Sequence, residues 1–385
     1  MSQPAHNEVS PMQRTIRSLA LALAALAITT QSASAGQFKK PVYYPLNDAP
    51  YAVVTADFNN DGNLDLAVAS YSPGEVGILL GKGNGTFHAP NYFSAGGAVA
   101  LAVGDFDGDH NQDLAVVEYG GTGYGALQIF LGDGRGNFRE SAGYKVGIEP
   151  LSVAVADFDG DGNLDIAVTN GLGFGKEGSV MVFLGNGNGT FRGPTVYKLP
   201  GYPSGIAAAD LNKDHHPDLA ITEGVGGKLV ILLNTGGGKF RNAGTYPVIS
   251  PSGVTVAVLR TGGVADIVIP SFEAVAVLLG KGNGKYGKAA YYSTKSIGQE
   301  GYPYATVVAD FNLDGFPDIA AVLNEGNSAV LYGKGAGRFG SAVPIKLHDG
   351  GGPSLAAGDF NNDQAPDLAI AVQGDAKLAI LLNAQ

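Results

Sequence analysis

One acidic motif recurs along this chain at nearly even spacing and constrains its fold more than any other feature. The motif reads Asp-x-(Asp/Asn)-x-Asp-x-x-x-Asp and is followed by an apolar run such as "LAV". Six complete copies begin at residues 57, 105, 157, 210, 310 and 359, and a degenerate copy begins at Val258. In chain order, the starts are separated by 48, 52, 53, 48, 52 and 49 residues. This period predicts a repeat architecture of seven units.

A second, glycine-rich motif keeps the same period. Each copy lies between two β-rich runs, so its glycines are expected to supply the positive φ angles of a tight hairpin. Glycine-rich runs also form nucleotide-binding loops, but those open a helix, and no helical pattern follows here. In six units the motif ends on an aromatic residue: Phe87, Phe138, Phe191, Phe240, Tyr286 and Phe339.

Each unit therefore reads as four short strands. The acidic motif joins the first strand to the second, and the glycine-rich motif joins the third to the fourth. Four-stranded units in such numbers are typical of a β-propeller, so residues 36–385 are predicted to form one all-β domain of seven four-stranded blades. The chain stops at "ILLNAQ", before a last hairpin, and "GQF" at residues 36–38 supplies the missing half. We therefore expect the N-terminal strand to close the last blade and remove an open sheet edge.

The N-terminus reads as a secretory signal peptide over residues 1–35. Arg14 and Arg17 precede an apolar run at residues 19–28, and "ASA" at residues 33–35 offers a cleavage site. A membrane anchor needs about 20 apolar residues, so this run is too short to span a bilayer stably. A disordered leader is the alternative. The mature protein is expected to be extracellular or periplasmic, and the absence of cysteine excludes disulfides and thiol chemistry.

The charge balance argues against two classes of partner. Without residues 1–35 the chain keeps 22 basic and 34 acidic residues, a net charge of −12. An acidic surface repels both nucleic acid and anionic membranes, so neither is an expected partner.

The acidic motif places oxygen-bearing side chains at positions 1, 3, 5 and 9, and a backbone carbonyl at position 7. Oxygens at this spacing converge on one point, as in the calcium loop of an EF-hand. Carboxylates about 4 Å apart repel one another by about 1 kcal/mol per pair even in bulk water, and a hard dication reverses the sign. Calcium tolerates looser geometry than magnesium and fits better. The predicted ligands are Asp57, Asn59, Asp61, Asn63, Asp65, Asp105, Asp107, Asp109, Asn111, Asp113, Asp157, Asp159, Asp161, Asn163, Asp165, Asp210, Asn212, Asp214, His216, Asp218, Asp310, Asn312, Asp314, Phe316, Asp318, Asp359, Asn361, Asp363, Ala365 and Asp367.

Up to six structural Ca²⁺ ions are expected, one for each complete motif. The six loops hold 20 of the 34 acids of the mature chain, so six ions would balance its net charge of −12. The fifth copy keeps only Asp266 and is predicted to bind no ion. The alternative is that the loops are Asx-type turns without metal. Three sites are weakened because position six, where a sharp turn favours glycine, holds another residue: His110, His215 and Gln364.

Both motifs together make residues 36–385 resemble the FG-GAP or VCBS-repeat family, the propeller of integrin α-subunits and of many bacterial secreted proteins. The resemblance implies that the acidic loop between the first two strands of each blade binds calcium. It also implies ligand recognition and adhesion, although some members are lectins and some belong to lyases. The degenerate fifth copy and the three turns without glycine depart from the family pattern.

The rim opposite the two motifs differs between units and is the expected ligand face, because loops on a rigid scaffold commonly carry binding sites. Aromatic side chains there suit a sugar ring or a protein surface, and the alternative is that they only cap the packing between blades. The candidates are Tyr71, Tyr119, Tyr124, Phe174, Tyr202, Phe272, Tyr302 and Tyr304.

Catalysis has little support, since the sequence contains neither a nucleophile elbow nor a zinc-protease motif. The expected function is therefore a secreted recognition or adhesion module for an extracellular glycan or protein. A calcium-dependent polysaccharide lyase and a structural component of the cell surface are the alternatives.

Overall fold

The computed structural model describes residues 38–121, 123–172, 177–295, 301–324, 327–347 and 352–384. Residues 35–385 form one compact unit, and the predicted signal segment lies outside the described residues. Every regular element in the described ranges is a β-strand. Those ranges contain no helix long and apolar enough to cross a membrane.

Five sheets contain four antiparallel strands each. The first has β2 (Pro50–Ala56), β3 (Asp65–Ser70), β4 (Glu75–Leu79) and β5 (Asn91–Ser94). Two others have β13 (Tyr202–Ala209), β14 (Asp218–Val225), β15 (Lys228–Asn234) and β16 (Phe240–Pro247), and β17 (Thr255–Ala257), β18 (Asp266–Ser271), β19 (Ala274–Leu278) and β20 (Ala290–Ser293). The last two have β21 (Pro303–Ala309), β22 (Asp318–Leu323), β23 (Asn327–Gly333) and β24 (Phe339–Lys346), and β25 (Leu355–Gly358), β26 (Asp367–Val372) and β27 (Lys377–Leu381) with β1 (Val42–Pro45).

The sixth sheet has seven strands, so the structure has five four-stranded sheets rather than the seven that the repeats predict. Its strands are β6 (Ala98–Gly104), β7 (Asp113–Glu118), β8 (Tyr124–Gly132), β9 (Phe138–Ala156), β10 (Asp165–Leu172), β11 (Gly178–Gly185) and β12 (Phe191–Leu199). The first part of β9 pairs with β8 and its second part pairs with β10. Ile148 pairs with both Tyr124 and Leu172, so the ladder does not break where the second unit meets the third.

The two ends of the described chain meet in one sheet. β1 pairs antiparallel with β27, with Val42 opposite Ile380, and an isolated bridge joins Phe38 to Asn383. One apolar cluster contains both Leu66 of the first unit and Ile380 of the last. The first and last units are therefore in direct contact.

The second strand of each unit explains the continuous apolar runs of the sequence. β3, β18, β22 and β26 are buried at every residue, because neighbouring sheets cover both of their faces. Alternation of polar and apolar residues is lost when both faces are covered. The small side chains of Ala67, Ala115 and Ala167, all fully buried, let adjacent sheets approach closely. Seven apolar clusters, each drawn mainly from two successive units, form the core.

A tyrosine on the outer strand of several units ties that unit to the hairpin of the next. The Tyr44 hydroxyl accepts a hydrogen bond from the Phe87 N–H at 2.9 Å, and its ring lies edge-on to Phe87 at 5.8 Å between centroids. The same bond is made by Tyr144, Tyr197 and Tyr246 to the hairpin aromatics Phe191, Phe240 and Tyr286.

The Tyr44 bond gives the first prediction. Tyr44→Phe leaves the buried Phe87 N–H without its partner and should lower the free energy of unfolding by about 1 kcal/mol, measured by chemical denaturation. Tyr51→Phe is the matched control, because the Tyr51 hydroxyl makes no hydrogen bond with the described residues. Equal stability of both variants would contradict this role of Tyr44.

Candidate metal centres and channel mouth

The six complete acidic loops share one backbone conformation. At position four φ lies between 55° and 79°, and at position six it lies between 68° and 90°. His110, His215 and Gln364 therefore adopt the same left-handed conformation as the glycines of the other loops, at a cost of about 1 kcal/mol each. The loop geometry does not separate these three sites from the rest.

Two hydrogen bonds recur in all six loops and fix the carboxylates at positions one and five. The N–H of position six donates to Oδ2 of position one, as from Gly162 to Asp157 at 2.9 Å. The N–H of position seven donates to Oδ1 of position five, as from Asn163 to Asp161 at 2.9 Å. This last bond lowers the pKa of Asp161, which stays ionised. The Arg192 guanidinium lies beside it, with Nη2 3.7 Å from Asp161 Oδ2 and 3.3 Å from Asp159 Oδ2. Asx-type turns are thus present, and they orient the acidic side chains of each loop.

The aspartate at position nine has a second role that the sequence did not reveal. In the third loop, Asp165 Oδ2 accepts the N–H of Phe158 at 2.7 Å, and Oδ1 accepts the N–H of Gly185, at the end of the third strand, also at 2.7 Å. All seven units make this pair of bonds, including the fifth unit through Asp266. Position nine therefore clamps three strands together.

Burial of these position-nine carboxylates makes their ionisation unfavourable. Loss of water raises the pKa to about 6, although the two backbone N–H groups act in the opposite direction and lower it. A nearby cation would balance the negative charge of these buried carboxylates and so favour their ionised form. The six residues are Asp65, Asp113, Asp165, Asp218, Asp318 and Asp367.

In two loops, three carboxylates each bring one oxygen within 4.8 Å of the other two. This spacing suits a single hard cation held by several oxygens. In the other four loops an asparagine replaces the carboxylate at position three and offers an amide oxygen. The residues that converge are Asp105, Asp107 and Asp109 in the second loop, and Asp157, Asp159 and Asp165 in the third.

The degenerate fifth loop carries its own cation. Arg260, at position three, donates from Nη2 to Asp266 Oδ1 at 2.6 Å and from Nε to Asp266 Oδ2 at 3.1 Å. It also donates to the Gly280 carbonyl at 2.7 Å, and its hydrogen bond to Asp266 raises the pKa of the guanidinium. Where the other acids are missing, a guanidinium thus takes the place next to the buried aspartate.

A central cavity of about 250 Å³ is lined by residues that come from all seven units. A wider cavity of about 520 Å³ adjoins it and is here named the channel mouth. Tyr71 and Tyr119 line only the mouth. The lining residues that both cavities share are Tyr51, Val99, Leu151, Ser204, Ser252 and Pro353.

The predicted ligand-face residues divide into two groups. Tyr71 and Tyr119 line the channel mouth together with Tyr51, which the sequence did not predict. Tyr202 is linked to Tyr119 because both hydroxyls are hydrogen-bonded to Glu149. A second pair, Phe272 and Tyr302, has ring centroids 4.9 Å apart.

The remaining candidates are separate from these groups or undescribed. Tyr304 is exposed and lines the central cavity, and Tyr124 is exposed beneath the Lys145 ammonium, 3.6 Å from its ring centroid. Phe174 lies outside the described residues.

Antiparallel sheets around a central cavity, with an acidic loop between the first two strands of each complete unit, define the chain as a β-propeller. The FG-GAP-like repeat matches residues 57–116, 111–168, 172–221, 263–321 and 310–370, and the FG-GAP repeat matches residues 150–189. The chain therefore belongs to the FG-GAP repeat family. No curated protein matches it in sequence.

Solved structures share the fold at low sequence identity. A structure described as BBS1N in complex with ARL6DN is 12% identical with a TM-score of 0.60, over 90% of this chain and 96% of that one. A lectin from Agrocybe aegerita, described as recognising non-reducing terminal N-acetylglucosamine, is 21% identical with a TM-score of 0.54, over 86% of this chain and 87% of that one. These likenesses concern the fold alone.

The fifth loop gives the second prediction. Arg260→Met removes the cation and leaves Asp266 fully buried without its charged partner, so the free energy of unfolding should fall by about 3 kcal/mol. Added Ca²⁺ should not restore it, because positions one, five and seven offer no side-chain oxygen. Denaturant titration of this variant, beside the exposed-site control Arg338→Met, measures the loss. Equal effects of the two substitutions would refute the assignment.

Proposed function

We propose that this protein is a secreted, calcium-stabilised β-propeller that recognises an extracellular ligand, a glycan or a protein, at its channel mouth. The observation that carries the proposal is the pairing of two surfaces of different kinds. The acidic loops are nearly uniform from unit to unit, as scaffold elements are. The mouth is lined by tyrosines that only some units provide, as in a specific site.

Calcium is the proposed occupant of the six complete loops. Convergent carboxylates in the second and third loops, buried aspartates with raised pKa values, and the guanidinium of the fifth loop all support a cation at this position. Bound Ca²⁺ would neutralise the clustered acids and hold the first two strands of each unit at a fixed angle. Extracellular modules bind calcium with dissociation constants of about 10⁻⁴ to 10⁻³ M, which fits a structural role.

The ring itself is proposed to have seven blades, with β9 serving as the outer strand of the second and the inner strand of the third. Each of the seven units contributes residues that precede its acidic motif to the lining of one cavity, and the core consists of seven apolar clusters. Both observations support this count. The pairing of β1 with β27 supports closure by the N-terminal strand. A closed ring leaves the propeller with protected sheet edges and without need of disulfides.

Secretion is inferred from the sequence of residues 1–35, and the protein is proposed to act by binding, as in adhesion, and not by catalysis. The same fold appears in a lectin and in a complex between two proteins, so both ligand classes are compatible with it.

A glycan array tests the proposed function directly. The mature protein should bind a defined subset of glycans at millimolar Ca²⁺ and lose binding after chelation, because ordered corners hold the mouth in shape. Binding to no glycan, together with no capture of any protein from the extracellular matrix, would refute a recognition role.

Calcium removal gives the third prediction. Ca²⁺ at 5 mM should raise the melting temperature of EDTA-treated protein, with a gain on the order of 1 kcal/mol per occupied site. Asp161→Asn keeps an oxygen for the Asn163 N–H but removes one charge, so it should reduce the calcium-induced gain. Because it also relieves repulsion among the loop acids and removes only an exposed ion pair with Arg192, it should not destabilise the metal-free protein appreciably.

The matched control for Asp161→Asn is Asp48→Asn, at an aspartate outside the acidic loops. Calorimetric titration counts the bound ions and should approach six. A melting temperature that changes with neither calcium nor EDTA would refute the proposed calcium binding.

A further inference from the structure

The channel mouth is built from equivalent positions of the seven repeats. The residue six positions before each acidic motif lines the central cavity in every unit, and six of these seven residues also line the mouth. The ring they form is asymmetric: aromatic, aliphatic and hydroxyl side chains follow one another around it. In chain order the residues are Tyr51, Val99, Leu151, Ser204, Ser252, Tyr304 and Pro353.

An aromatic wall stands on one side of this ring. Tyr71 and Tyr119 occupy the same position in the first and second units, and the third unit has Gly171 there. Ring centroids of Tyr51 and Tyr71 are 5.8 Å apart, and those of Tyr71 and Tyr119 are 6.0 Å apart. The ring of Tyr202 fills the space beside Gly171, where a Cβ would come within 2.4 Å of it. Two tyrosines of the first unit, one of the second and one of the fourth thus form an arc, in which Glu149 links Tyr202 to Tyr119.

The arc offers both apolar faces and free polar groups. Tyr71 is 39% exposed, and within the described part of the chain neither its hydroxyl nor that of Tyr51 makes a hydrogen bond. Gly97 makes room for this arrangement, because a Cβ there would lie 2.9 Å from the Tyr71 ring. Ser204 and Ser252 also line this cavity, but their hydroxyls already donate to the backbone carbonyls of Pro251 and Pro303.

The charge nearest to the mouth is negative and comes from Glu149. None of the residues that line the mouth is charged, and Glu149, next to the arc, accepts a hydrogen bond from the Tyr202 hydroxyl at 2.9 Å. No lysine or arginine pairs with Glu149 among the described residues. An anionic ligand would therefore meet an uncompensated carboxylate, whereas a neutral ligand would not.

A pyranose sugar matches these features. One face of the ring carries C–H groups that pack on an aromatic surface, and its edge carries hydroxyls that need polar partners. The mouth volume of about 520 Å³ is that of a small-ligand site. A protein partner needs roughly 800 Å² of its own surface to be covered, which a concave pocket of this size does not provide.

Building on the proposed function, we infer that the channel mouth binds the end of a neutral oligosaccharide, with a sugar ring stacked on Tyr71 and Tyr51, and that it disfavours uronic acids. Tyr119 forms the next part of the wall. Glu149 and Tyr202 act as positioning residues that hold this wall in place.

Calorimetric titration of the full chain at 5 mM Ca²⁺ with cellotetraose, chitotetraose and tetragalacturonate tests this inference. At least one neutral tetrasaccharide should bind, and tetragalacturonate should bind more weakly or not at all. Tyr71→Ala should weaken the neutral sugar by about tenfold, since it removes a stacked aromatic face. Tyr291→Ala is the control, because Tyr291 is 41% exposed on β20 and does not line the mouth. Its loss removes the hydrogen bond that its hydroxyl accepts from the Ile249 N–H, so stability can fall, but affinity should stay unchanged.

Three results would overturn the site. They are equal affinity of Tyr71→Ala and Tyr291→Ala, tetragalacturonate binding as tight as that of the neutral sugars, and no binding of either neutral tetrasaccharide. If Tyr71→Ala still binds the glycans that the array identifies, the proposed function stands and only this site fails. Because the chain has no tryptophan, tyrosine emission of the unmodified protein gives a second readout that needs no variant, and neutral sugar should change it.

Discussion

The pair of backbone hydrogen bonds accepted by each position-nine aspartate is the interaction on which this propeller depends. One carboxylate at the start of the second strand binds the amide of position two, after the first strand, and an amide at the end of the third. Three of the four strands of a unit are thus fixed by a single side chain. The fifth unit keeps this aspartate although its other acids are gone, so the clamp is present in every unit whether or not the rest of the acidic loop is.

A nearby positive charge would stabilise a buried carboxylate in this position, and the seven loops surround it in two different ways. Six loops surround the aspartate with further oxygens, an arrangement that suits a hard cation. One loop places Arg260 against it at 2.6 Å. Both solutions keep the same clamp, which explains how a repeat can lose its acidic loop without losing its shape.

The sequence predicted the all-β repeat and its acidic loops, but it missed contacts between distant parts of the chain, including the position-nine clamp and the tyrosine hydrogen bonds, which recur in several units. The six acidic loops were recognisable because the spacing of their oxygen-bearing residues along the sequence determines how those oxygens are arranged in the loop. The continuous β9 was not, because the chain between Phe138 and Ala156 differs from other junctions only in how Ile148 pairs on both sides. Tyr51 was missed because it follows a proline at the start of β2, where the sequence carries no sign of a binding role. Only the structure shows that Tyr51 and the equivalent residues of the other units line the cavity. The hydroxyl of Tyr44 was missed because its partner, the Phe87 amide, carries no sequence signature.

The guanidinium of the fifth unit has a consequence for how the molecule responds when its surroundings change. If the six complete loops bind Ca²⁺ as proposed, this covalently attached cation alone cannot diffuse away, so this corner would keep its order in media that strip ions from the others. Loss of structure would then begin at some distance from Arg260, and the fifth unit would be the part from which its neighbours regain their arrangement when ions return.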